Sequence, residues 1–241
     1  MAEPLFITLA ADPNLVPGIY NGCDQWCHYC PATERCLAFK CRPAAGPGGN
    51  VYQDVEEKLF ESMRYLKDCH EAEGLRPPED LLRLLHGEPP STAAEDEPID
   101  DPLERMGKHY AILATTYLAS SLDEMPSTPL PRREHGPTPL DVFLFYHVLI
   151  AVKIYRALSS SREAARTGGA QARWDADVSA KVALIAIDRS HEALQVMALD
   201  DDDVRVPHLQ KLLSRMRREA EGRFPAARTL VRPGLDDAPA R

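Results

Sequence analysis

From Val51 onward the chain repeats hydrophobic residues three and four positions apart, a pattern that admits helices and little else. Leu140, Phe143, Leu144, His147, Ile150, Ala151, Ile154 and Leu158 follow it. Val178, Val182, Ile185 and Val196 follow it again, as do Val55, Leu59, Met63 and Leu66. A 3.6-residue period gathers such positions on one side of a helix, whereas a half-buried strand needs strict alternation. Start signals stand where the pattern begins. Asp101-Pro102-Leu103-Glu104 offers a capping side chain, a proline at the first helical position and an acid at the third. Thr138-Pro139-Leu140-Asp141 has the same form, Pro78-Glu79-Asp80 opens a shorter helix, and Pro207 sits in the first turn of the last one.

Together these signals predict helices at 52–73, 78–86, 102–123, 139–160, 171–198 and 205–222. Linkers at 87–100 and 124–137, rich in Pro, Ser and acids, separate three of them. Long helices without intervening strands imply an all-α fold, an antiparallel helical bundle over 51–223. Residues 1–50 differ in character: they hold five of the six cysteines and the turn-forming stretch Pro43–Asn50, with one extended segment expected at Leu5–Leu9. They are expected to form a loop-rich cysteine module, and residues 224–241 a basic, flexible tail.

With 241 residues and a net charge of −9, the chain can bury one large core, and nucleic acid is not its default partner. No apolar run approaches the ~20 residues of a membrane span. The first eighteen residues carry Glu3, no Lys or Arg, and too short an apolar stretch for a secretion signal. The expected location is therefore the cytoplasm, with no membrane partner. There clustered thiols more often bind metal than form disulfides.

The cysteines are Cys23, Cys27, Cys30, Cys36 and Cys41, spaced C-x3-C-x2-C-x5-C-x4-C. The first four fall within fourteen residues, so one loop can wrap a compact cofactor, which would offset the cost of ordering it. Structural zinc usually joins two C-x2-C pairs from distant positions, and only one such pair exists here. A dense local run with Pro31 directly after Cys30 is the habit of cubane-cluster loops. The expected cofactor is a [4Fe–4S] cluster on Cys23, Cys27, Cys30 and Cys36, with zinc as the alternative and Cys41 as a possible extra ligand. Trp26, Tyr29 and Phe39 could shield its sulfurs from water.

At motif level two families share this spacing. Cys23-x3-Cys27-x2-Cys30, with Tyr29 before the last cysteine, resembles the signature of radical S-adenosylmethionine enzymes. That resemblance implies three cysteine ligands and one open iron. Cys27-x2-Cys30-x5-Cys36 is similar to the cluster-binding tail of iron–sulfur RecB-like nucleases. Both likenesses are confined to the cysteines, because the region after residue 50 reads as helices without strands, and Glu56-x-Lys58 is the only nearby match to the nuclease acid–lysine motif.

A cluster with all four irons ligated fits electron transfer or redox sensing, and the partner it implies is a redox protein. An open iron beside a pocket among the helices would instead allow an enzyme, and zinc would make the chain a stapled interaction protein. A second site is conceivable from His109, His147, Asp188 and His191, since Asp188-x-x-His191 sets two ligands on one side of a helix. The chain has no Glu-x-x-His, which carboxylate-bridged helical iron sites require. Histidines and a carboxylate held by hydrogen bonds explain the same residues.

Overall fold

The computed structural model of the protein describes residues 9, 11–41, 51–88, 101–121, 136–199 and 203–237. Apart from Leu9, the segment Leu5–Leu9 lies outside them, as do Pro43–Asn50 and most of both linkers. Every element among the described residues is helical, and no strand occurs there. The chain divides into two compact units, Met1–Pro17 with Glu34–Pro98, and Gly18–Thr33 with Ile99–Arg241.

The first unit contains α1 (Leu37–Lys40), α2 (Val51–Ala72) and α3 (Glu79–Leu85). The Val16 N–H donates to the Arg35 carbonyl at 3.0 Å, pairing its two early segments. Met63 is buried, as expected for the inner side of α2, and Cys69 is half-buried. Leu66 departs from that expectation and is 48% exposed. Helix α2 packs on the seven-residue α3, which is too short to cover the whole apolar side.

The second unit packs α4 (Pro102–Ser121), α5 (Pro139–Thr167), α6 (Ala170–Met197) and α7 (Arg205–Arg223) around one core. Thr138 starts α5 with a full capping box: the Asp141 N–H donates to Thr138 Oγ1 at 3.2 Å, and the Thr138 N–H to Asp141 Oδ2 at 2.9 Å. At Asp101 the carboxylate accepts from the Leu103 N–H at 2.9 Å. Helix α5 runs seven residues past its expected end at 160. The serines at 159–161 are followed by Arg-Glu-Ala-Ala-Arg, good helix formers, and the stop comes only at Gly168, in the left-handed conformation at φ 69°.

With only Gly168 and Gly169 between them, α5 and α6 form a hairpin. Asp175 ties it, accepting from Arg156 Nη2 at 2.5 Å and Ser160 Oγ at 2.6 Å. Arg205, at the start of α7, donates to Thr116 O and Ser120 Oγ near the end of α4. Arg223, at the end of α7, pairs with Asp101 before α4 at 3.0 Å. Helices α4 and α7 therefore run antiparallel. Phe143, Tyr146, Ile150, Ile154 and Leu158 bury one side of α5 in the core. By length and composition α5 could cross a membrane, a test that a buried core helix passes equally. Its outer side leaves Val148, Val152 and Tyr155 exposed. In the final segment Phe224 and Ala227 belong to the core.

Candidate functional site

The segment from Gly18 to Thr33 is packed into the helical unit residue by residue. Gly22 passes close to α6: a Cβ there would stand 3.0 Å from Val178 Cγ2, so any side chain would require Val178 or the loop to give by a few tenths of an ångström. Its carbonyl accepts from Arg232 Nη1 at 3.2 Å, and the carbonyl of Cys23 accepts from Lys153 Nζ at 3.2 Å. The Asp24 carboxylate does three things at once. Oδ1 accepts from the Trp26 N–H at 3.1 Å, while Oδ2 accepts from the Tyr146 hydroxyl at 2.6 Å and Arg189 Nη1 at 3.1 Å. Arg189 also bonds the Tyr146 hydroxyl and covers its ring, 5.7 Å from the centroid. Gln25 takes a left-handed φ of 65°, rare for a side-chain-bearing residue, and is held there between these anchors. Trp26 then drops into the core, stacked on Phe145 and edge-on to Tyr29 and Tyr146.

Burial sets the protonation of this neighbourhood. It pushes the Cys23 thiol up, and the Asp24 charge adds to it; the sulfhydryl donates to the Tyr20 carbonyl at 3.3 Å. Burial likewise raises the Tyr146 phenol, reinforced by Asp24, and lowers the Lys153 ammonium, with the Arg156 charge acting in the same sense.

A cavity of about 630 Å³ opens beside the segment. Cys23, Asp24, Trp26, Tyr29 and Cys30 form one wall, and Ile185, Arg189, Glu192 and Val196 of α6 another. It is mainly apolar with a few charged groups, the usual character of a small-molecule site.

Cys23, Cys27 and Cys30 thus lie in the second unit, whereas Cys36 and Cys41 lie in the first, flanking α1. None is in a disulfide, and each is half-buried. Among the described residues no three His, Cys, Asp or Glu side chains are gathered to hold a metal ion.

The residues considered for a second site are dispersed. His109 is exposed, its ring 5.9 Å from that of His208. His147 is buried, and its Nδ1–H donates to the Leu144 carbonyl at 2.7 Å. Asp188 faces outward rather than inward: its carboxylate pairs with Arg217 at 3.0 Å and Arg228 at 2.6 Å. Asp188 and His191 share a cavity, a charged one with Arg217, Glu221 and Arg228, where His191 Nε2 stands 3.3 Å from Ser214 Oγ.

Sequence reasoning missed Asp24, Tyr146, Lys153, Arg189 and Arg232. One signal was available. Lys153 stands on the apolar stripe between Ile150 and Ile154, and a lysine there must either break the core or serve a buried acceptor. No family model, curated protein or solved structure matches the chain.

Proposed function

We propose that the protein binds a [4Fe–4S] cluster through Cys23, Cys27, Cys30 and Cys36 and serves in electron transfer or redox sensing with a redox protein as partner. Four cysteines outside any disulfide, all within fourteen residues, support the reading. The observation that carries it is the company Cys23 and Cys30 keep. Both line a cavity with Arg189 and Arg232, and Lys153 bonds the Cys23 backbone. Lys153, with Arg189 paired to Asp24 and Arg232 paired to Asp236, puts cationic groups beside the negative charge that a thiolate-ligated cluster would bring into a half-buried site. The segment from Cys27 to Arg35 is made of 3-10 turns and not a continuous helix, a backbone suited to wrapping a compact cluster. Loading also removes the Cys23 proton, so higher pH favours it.

The cavity favours a second reading, an enzyme that uses an open iron beside it. Protein purified without oxygen and examined by its visible absorption separates both readings from a zinc-stapled interaction protein. A broad brown absorption lost on reduction supports the cluster, and a colourless zinc protein overturns it.

A further inference from the structure

The cavity has a feature the cysteines do not explain. Along one side of α6, Ile185, Arg189, Glu192 and Val196 follow at spacings of four, three and four, so all turn to the same space. The outer two are apolar and the inner two carry opposite charges. Arg189 spends Nη1 on Asp24 and Tyr146, leaving Nε and Nη2 without a partner among the described residues. Glu192 makes no hydrogen bond or ion pair among the described residues, although its negative charge is felt by Arg189. Pro137, Pro139, Val142 and Leu235 continue the apolar lining.

A solvent-accessible pair of opposite charges within an apolar lining matches a ligand that answers both signs. A simple organic anion would meet the Glu192 carboxylate, and a simple amine would meet Arg189. We propose that this cavity binds a small zwitterion of the α-amino-acid kind with an apolar side chain. Its carboxylate lies on Arg189, its ammonium on Glu192, and its side chain against Ile185, Val196 and the prolines. Charge-assisted bonds to both ends give orientation, and the apolar walls supply the area. The volume of about 630 Å³ exceeds one amino acid, so the site also admits derivatives extended from either end. This inference does not rest on the cysteines holding iron, since the charged wall belongs to α6.

Calorimetric titration of the full chain at neutral pH tests it with three probes of one shape: leucine, 4-methylpentanoate and 3-methylbutylamine. Leucine is expected to bind saturably, and each singly charged probe about tenfold or more weaker, the worth of one charge-assisted bond. Glu192→Gln, an exposed change that removes no bond between described residues, should weaken leucine about tenfold without weakening 4-methylpentanoate. Absence of saturable leucine binding overturns the proposal. So does equal affinity for leucine and either singly charged probe, or indifference of leucine to Glu192→Gln. Iron content measured on the same sample keeps this outcome separate from that of the cluster.

Discussion

The indole of Trp26 lies parallel to the Phe145 ring, the planes 9° apart and the centroids separated by 4.5 Å. This contact makes the start of the cysteine segment part of the helical core. Trp26→Ala should cost about 3–5 kcal/mol, the usual range for emptying a large aromatic site. Urea unfolding followed by circular dichroism measures it, and a cost below about 1 kcal/mol would mean that the segment is not anchored there. Deleting residues 1–50 should expose the Phe145 and Tyr146 surface as well, giving a lower melting temperature or aggregation. A deletion variant that melts as cooperatively and as high as the full chain would contradict this packing.

His147 makes stability depend on pH. Burial lowers its pKa below the ordinary histidine value, while its Nδ1–H serves the Leu144 carbonyl. Between the lowered value and about 6.5 the unfolded chain binds the proton and the folded chain does not, so stability falls as pH falls through that window. The loss cannot exceed about 1.4 kcal/mol per pH unit from one group. Urea unfolding at pH 7.5 and 5.5 should show a smaller acid loss in His147→Gln than in the parent protein. Equal losses would place the histidine's pKa at its unfolded value.

Asp188 marks a different regime. Its partners Arg217 and Arg228 are roughly as solvent-exposed as it is, so the pairs are screened. Asp188→Asn should therefore cost about 1 kcal/mol or less, and the difference should shrink in high salt. A cost of several kcal/mol, unchanged by salt, would show a buried role.

Much of the helical pattern was legible because caps and spacing act locally. Thr138 and Asp141 lie three residues apart and announce α5 without any tertiary help. The end of α5 was harder to read, since serines weaken a helix without stopping it and only Gly168 supplies the left-handed residue. The exposed Leu66 shows the limit of periodicity: spacing tells which residues share a side, and only the partner helix decides how much of that side is covered. The site was legible as a run of cysteines but not as a place. Gly22 and Arg232 are bonded across 210 residues of chain, and Asp24 and Tyr146 across 122. No local pattern carries such information. Nor does helical spacing announce the partners of Asp188, since the arginines that meet its carboxylate come from α7 and from the segment beyond it.

The central claim concerns the cysteines, and the decisive measurement is iron, acid-labile sulfide and zinc per chain in protein purified without oxygen. It is to be made on the parent and on single Ser variants of Cys23, Cys27, Cys30 and Cys36, with Cys69→Ala as control. Close to four irons and four sulfides in the parent and the control are predicted, as expected of a cubane cluster, with loss in each of the four Ser variants. Stoichiometric zinc without sulfide, or a parent protein free of metal, would contradict it.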